Sequence, residues 1–400
     1  MKVNSWSHWQ RLKQVVLGNV YPPEFFEDVE DTNLRDSLQK IVYETKEDLD
    51  GIKKTMEDLD IEVIQPDNKW ADSLALNPYK TFGEFLEIAK KSESPIALAK
   101  PFMAPRDHYI TMGNDLLITQ QYNPNIDKGH PLDMFETNTT LVDDMWKNKD
   151  SKLGPFKLKT KSRLGEYHEM WQEQDYFDMN MKHNPSDFRH YVYTTWQYHA
   201  PYITRIGDTI LIDERDRSGF AEWYNEIKPD NKFKFKKVYI GGHNDGSMCL
   251  PKPGLVIGSP WMEKGFFEST LPGWDQLIIK NPNDFANQYP KEFEDYQKNK
   301  HQMRWYLDKE MNNIPLTNFV EKYLKDWVGY MEESIFEVNM LSVDESTILS
   351  LNYQKEVHDK LKSVGIEPIY TRFRHRHFWD AGLHCLTLDT VREGDCETYF

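Results

Sequence analysis

What most constrains the fold of this chain is a pattern that recurs four times. An alternating run meets a turn, and a second run rich in apolar and β-branched residues follows. Residues 107–112 and 116–119 flank Gly113-Asn114-Asp115, and 202–206 and 209–212 flank Gly207-Asp208. Residues 246–250 and 255–257 flank Pro251-Lys252-Pro253-Gly254, and 337–343 and 346–349 flank Asp344-Glu345. Turns between such runs are hairpin signals. Each hairpin carries polar residues at or just before its first strand: Asp107, His199, His243 with Asp245, and Glu332 with Glu333. A fifth strand-like run follows Cys385 in Gly382-Leu383-His384-Cys385-Leu386-Thr387-Leu388-Asp389. Repeated hairpins with polar leading ends predict an α/β chain whose blades surround one central pocket. The uneven spacing argues against a solenoid.

The amino-terminal region adds a strand, a helix and a strand. Val15-Val16-Leu17-Gly18 reads as a buried strand. Apolar residues at 34, 38, 41, 42, 49, 52, 56 and 59 keep helical spacing. Ile61-Glu62-Val63-Ile64-Gln65 then reads as a strand stopped by Pro66. Two segments fit no repeat, at about 120–195 and 265–325, and are expected to be insertions or lids within a single domain spanning 1–400.

Charge narrows the partners. With 49 basic and 65 acidic side chains the formal charge is −16. Nucleic acids and anionic membranes need clustered Lys and Arg, so neither is an expected partner. Three cysteines (Cys249, Cys385, Cys396) are too few for a disulfide framework and suit a reducing compartment. The start shows no apolar signal-peptide core, and no stretch approaches the roughly 20 apolar residues of a membrane span. A cytoplasmic protein is expected.

Chemistry gathers at two motifs. Cys385 follows a Gly-containing turn, and Gly241-Gly242-His243-Asn244-Asp245 lies well upstream. A nucleophilic thiolate needs a base or cation to hold the sulfur ionised and a group that orients the electrophile. His243 supplies the first and Asp245 the second, as chemistry at a guanidino or amidino carbon requires. Taken alone, Cys385 reads first as a packed thiol and His243 as a satisfied histidine. Their company, at corresponding ends of separate hairpins, favours a site. Asp107 reads either as a turn aspartate or, with Asp245, as a carboxylate fork for a planar guanidinium. Arg372-Phe373-Arg374-His375-Arg376-His377 alternates, so a strand here would have one cationic face. That face is either solvated or a receptor for a substrate carboxylate.

At these residues the chain resembles the glycine amidinotransferase family, of the pentein (five-bladed α/β-propeller) fold. The likeness rests on Asn4-Ser5-Trp6 through Leu17-Gly18, Pro105-Arg106-Asp107 with Gly113-Asn114, His243-Asn244-Asp245, Asn339-Met340-Leu341, and Leu383-His384-Cys385 through Asp389, Arg392 and Gly394. It implies a covalent two-step exchange. Cys385 attacks the guanidino carbon of a donor, His243 protonates the leaving amine, and an acceptor amine takes the amidino group from the cysteine. Asp107 and Asp245 hold the cation, and neither metal nor organic cofactor is required. L-Arginine and glycine are the default donor and acceptor, with ornithine and guanidinoacetate as products, and a homodimer is left open.

The chain also departs from the family pattern. His199 stands where an aspartate orients the catalytic histidine, Met262 where arginine-using members carry arginine, and Glu332-Glu333 where a serine pair stands. These changes predict a different donor or acceptor. Glu332 or Glu333 would bind an added positive group, and Arg374 or Arg376 would replace the lost arginine. A hydrolase of deiminase or dihydrolase type on the same fold, and a non-catalytic binder of guanidino ligands, are the alternatives.

Overall fold

Each turn signal becomes a tight antiparallel hairpin. β3 (Tyr109–Met112) pairs with β4 (Asp115–Ile118), and β6 (Ile203–Ile206) with β7 (Thr209–Asp213). β9 (Met248–Lys252) pairs with β10 (Leu255–Gly258), and β12 (Leu341–Asp344) with β13 (Thr347–Ser350). Gly113 and Gly207 occupy the turns with φ of 60° and 61°. Hairpin turns of this hand need positive φ, which glycine alone adopts without strain. At Gly207 a side chain is excluded twice over, since a Cβ would lie 2.0 Å from the carbonyl oxygen of Glu397. The computed structural model describes residues 1–69, 71, 77, 79–92, 97–118, 131–132, 134–135, 139–140, 200–213, 220–240, 243–283, 285–298, 305–325, 327–329 and 336–400.

Every hairpin gains a third strand that runs parallel to its second. β5 (Thr139–Thr140) joins β4, β8 (Lys234–Val238) joins β7, β11 (Asp275–Ile278) joins β10, and β14 (Glu367–Tyr370) joins β13. Parallel neighbours cannot be linked by a tight turn and need a crossover. Helices Phe220–Ile227, Lys264–Thr270 and Lys355–Ser363 make that crossover in three of the sheets. In a fifth sheet α1 (Thr32–Glu57) carries the chain from β1 (Leu12–Leu17) to the parallel β2 (Glu62–Ile64). Asp31 caps α1 by accepting from the Leu34 amide at 3.0 Å, and the helix buries Leu38, Ile41, Val42, Leu49, Ile52 and Met56 on one face.

The inner strand of this last sheet comes from the other end of the chain. β15 (Thr387–Arg392) pairs antiparallel with β1, so amino- and carboxyl-terminal segments complete one blade and close the ring. Five three-stranded sheets result among the described residues. Their first strands β3, β6, β9, β12 and β15 all contribute to the wall of one central cavity. The predicted pentein propeller is therefore the observed architecture. Asp389 on β15 forms its axle, held by Arg106 Nη2 at 2.7 Å, Arg205 Nη2 at 2.6 Å and Arg392 Nε at 2.6 Å, all four residues buried.

Two expectations change. The segment at 265–325 is in its first part no insertion, because helix Lys264–Thr270 and β11 complete the blade of β9 and β10. Its last part, helix Ile314–Tyr323, buries Leu316, Phe319 and Val320 in the core that α1 also enters. The alternating 372–377 run is not a strand. It is irregular up to His375 and then forms the one-turn helix Arg376–Trp379. Most of the expected 120–195 insertion lies outside the described residues.

Candidate active site

Asp107 and Asp245 occupy equivalent places in their blades. Each sits in a one-turn helix, Pro105–His108 and Asn244–Ser247, that leads directly into an inner strand. Asn244 anchors the second helix to the neighbouring blade, donating to the Tyr202 carbonyl and to Thr204 Oγ1, both at 2.9 Å. Cys385 lies at the same end, in the turn before β15. That turn is fixed by the Leu386 amide on the Gly382 carbonyl at 3.0 Å and by Thr387 Oγ1 on the Leu383 carbonyl at 2.9 Å.

The side chains converge on the sulfur. Cys385 Sγ donates to Asp245 Oδ2 at 3.4 Å, and the same oxygen accepts from His384 Nδ1 at 2.9 Å. Asn339 lies across from the thiol. Its Nδ2 donates to Cys385 Sγ at 3.0 Å and to the Asp245 carbonyl at 3.1 Å, while its Oδ1 accepts from the Cys385 amide at 3.0 Å. Gly382 makes this possible, because a Cβ there would lie 2.4 Å from the Asn339 side chain.

Burial pushes the Cys385 thiol well above its ordinary range, and the charges of Asp245 and Asp107 push it further, against the Asn339 hydrogen bond. Both carboxylates thus act on this sulfur, which rests as a neutral thiol. Burial would raise Asp245, but the hydrogen bond from His384 and the charges of His243 and Arg106 outweigh it and bring the carboxyl down to about 2. His384 is lowered to about 4, by burial first and then by Arg106. It is therefore a neutral imidazole whose Nδ1–H faces an ionised carboxylate. The other oxygen, Asp245 Oδ1, is buried without a hydrogen-bond partner among the described residues. His243 stands exposed at the head of helix Asn244–Ser247, its ring edge-on to Tyr202 at 5.7 Å.

Not every anticipated residue joins this cluster. Arg374 is tied to α1, donating to Asp48 Oδ2 at 3.0 Å, Glu47 Oε2 at 2.7 Å and the Glu44 carbonyl at 2.8 Å. Its expected role at a substrate carboxylate is corrected, because the acidic face of α1 already occupies the guanidinium. Arg376 donates to Gln288 Oε1 at 2.6 Å and stacks over Phe336 at 5.7 Å, so its guanidinium is held between the 285–298 helices and the approach to β12. Met262 packs in the apolar cluster with Trp9 and Phe267 and offers no polar group. His199, Glu332, Glu333 and the Gly241-Gly242 pair lie outside the described residues. Sequence reasoning missed Asn339 and His384 as site residues. The available signal was position: Asn339 stands just ahead of an inner strand, as Asp107 and Asp245 do.

No family model matches the chain. One curated relative, the L-arginine:L-lysine amidinotransferase of Pseudomonas savastanoi pv. phaseolicola, is 30% identical over 70 residues, 18% of this chain and 19% of that enzyme. The match thus spans about a fifth of the relative's length. Solved structures match from end to end. SxtG, an amidinotransferase from Microseira wollei in the saxitoxin biosynthetic pathway, superposes with a TM-score of 0.54 at 15% identity, covering 100% of this chain and 99% of that one. The inosamine-phosphate amidinotransferase StrB1 from Streptomyces griseus gives 0.53 at 15% identity, covering 99% of both.

Proposed function

We propose that this chain, which shares its pentein fold with those two amidinotransferases, moves an amidino group from a guanidino donor to an amine through an amidino adduct on Cys385. The observation that carries this reading is the meeting of one thiol with two carboxylates at the leading ends of separate blades. Asp245 Oδ1, buried without a hydrogen-bond partner among the described residues, is an acceptor suited to a guanidinium N–H. A cation seated between Asp107 and Asp245 would offset the negative charge that keeps the thiol protonated, so donor binding and thiolate formation are coupled.

In the first half-reaction the sulfur forms a bond to the guanidino carbon and the bond from that carbon to the donor amine breaks. The thiol proton ends on the departing amine, carried by His243. The second half-reaction reverses these roles. An acceptor amine bonds to the amidino carbon, the carbon–sulfur bond breaks, and the amine's proton returns through His243 to the thiol. L-Arginine is the proposed donor. Glycine is the acceptor that the family resemblance suggests, and L-lysine is the one named in the relative that matches in part.

The test is incubation with L-arginine and no acceptor, followed by an acid quench and peptide mass spectrometry. An amidino group on Cys385 with release of ornithine supports the reading, and acceptors are then screened by their guanidino products. Steady release of citrulline, or of urea, without any added amine replaces transfer by hydrolysis. An unmodified Cys385 that remains reactive to alkylation removes arginine as donor.

A further inference from the structure

Behind the thiol, the propeller axis holds more positive than negative charge. Arg106, Arg205 and Arg392 all converge on Asp389, and Asp245 is the carboxylate on the cavity wall that these three arginines also line. The neighbouring His8 and His384 add no charge. Burial lowers both, and arginines lower them further, Arg205 acting on His8 and Arg106 on His384. Three guanidinium groups thus face two carboxylates in the protein interior, where unbalanced charge is costly. The same field brings Arg205 itself down to about 10, burial being the main cause.

These groups border a chamber of about 40 Å³ lined by His8, Arg106, Thr111, Arg205, Asp245 and His384. By volume it takes roughly three waters, or one halide ion with a water. Its donors are only partly used. All three guanidinium nitrogens of Arg392 donate, to Asp389, to the Gln10 carbonyl and to the Ser342 carbonyl. By contrast, Arg106 Nη1 and Arg205 Nε have no hydrogen-bond partner among the described residues, and neither has the buried His8 Nε2. Of these atoms His8 Nε2 is itself shut off from solvent, and a buried polar atom left open in this way calls for a water or an ion.

We propose that this axial chamber binds a small monovalent anion of halide size, held chiefly by Arg106 and Arg205. The chamber lies against the thiol site and shares Asp245 and His384 with it. Arg106 Nε also donates to the carbonyls of His384 and Thr387, at 3.0 and 2.9 Å, and so braces the Cys385 turn from behind. The ion stabilises the closed ring because it binds only when blades from distant parts of the chain have come together.

The full chain is melted in sodium chloride, sodium bromide and sodium gluconate at matched ionic strength, gluconate being too large for the chamber. Expected is a saturating rise in Tm of about 2 °C or more in chloride and bromide, on top of any linear salt effect. The saturating part disappears in His8→Phe, which takes up chamber volume and removes the open imidazole nitrogen. Crystals grown in bromide are expected to give an anomalous peak between Arg106 and Arg205. Equal, non-saturating slopes in all three salts overturn the proposal. So does a saturating effect that His8→Phe retains, or bromide found only at the surface.

Discussion

Asn339 grips Cys385 with both ends of one amide. Its Oδ1 accepts from the cysteine's backbone amide and its Nδ2 donates to the cysteine's sulfur, each at 3.0 Å, and the same Nδ2 reaches the Asp245 carbonyl at 3.1 Å. The amide cannot turn without losing all three contacts, so the orientation of the N–H toward the sulfur is fixed. In the resting site that N–H is the group that favours the thiolate, while burial, Asp245 and Asp107 oppose it.

Replacing Asn339 by alanine is therefore expected to move the pH profile of iodoacetamide alkylation at Cys385 further up. A hydrogen bond to a charged group is worth about 1.5–3 kcal/mol, which corresponds to a roughly 10- to 100-fold loss in kcat. Asn339→Asp would be worse than Asn339→Ala, since it adds a third carboxylate and removes the donor. An unchanged alkylation profile in both variants would reduce Asn339 to a packing residue.

Asp107 makes a prediction of opposite sign. Its charge raises the Cys385 thiol, so Asp107→Asn is expected to shift alkylation of the free protein toward lower pH. The same variant loses half of the proposed guanidinium fork, so KM for the guanidino donor rises although the thiol ionises more readily. A saturating guanidino ligand would lower the alkylation profile in the wild type and do so less in the variant. If substitution moves neither the profile nor KM, Asp107 is not part of the site.

How much of this was legible in the sequence follows the range of the interactions. The hairpins were readable because turn chemistry is local: Gly113 and Gly207 announce positive φ wherever they stand. Asp107, Asp245 and Cys385 were readable because each precedes its own inner strand. Asn339 was not, since an asparagine before a strand looks like any turn residue until its partner 46 positions on is known. Arg374 misled because alternation with Arg372 and Arg376 suggested a strand, whereas its partner Asp48 is 326 positions away on α1. The strand β11 was hidden because its Asp-Gln-Leu-Ile sequence is half polar and only half-buried.

His377 should make the fold acid-sensitive. It is buried against Phe285 at 5.4 Å and Phe336 at 5.1 Å, and both ring nitrogens are without hydrogen-bond partners among the described residues. Burial, with help from Arg376, lowers it from 6.5 to about 3. The unfolded chain therefore takes up a proton below about pH 6.5 that the folded chain refuses. Stability is full above that pH and falls as pH drops toward 3, by about 2 kcal/mol at pH 5 from this residue. His384 and His8 act in the same direction, so His377→Leu should reduce the slope of unfolding free energy between pH 5 and 6 by about 1.2 kcal/mol per pH unit without abolishing it. Urea titrations at several pH values measure this, and an identical slope in the variant would refute it.

The contact between Arg374 and Asp48 separates a structural arginine from a substrate-binding one. Asp48 is fully buried, and it accepts from Arg372 Nε at 2.8 Å, from the Arg374 amide at 2.6 Å and from Arg374 Nε at 3.0 Å. Arg374→Ala removes one of these donors and leaves the other two, so a loss of about 1–2 kcal/mol in stability is expected. Asp48→Ala removes the acceptor that Arg372 and Arg374 share, leaves the Arg374 amide without its partner and loosens the seam between α1 and the 372–376 loop, for which about 1–3 kcal/mol is expected. In the double variant the Arg374 substitution should cost less than it does alone, because its contacts to Asp48 are already gone and only those to Glu47 and the Glu44 carbonyl remain to be lost. Through all of this KM for a guanidino donor stays at its wild-type value. A rise in KM in Arg374→Ala at unchanged Tm would return this arginine to the substrate pocket.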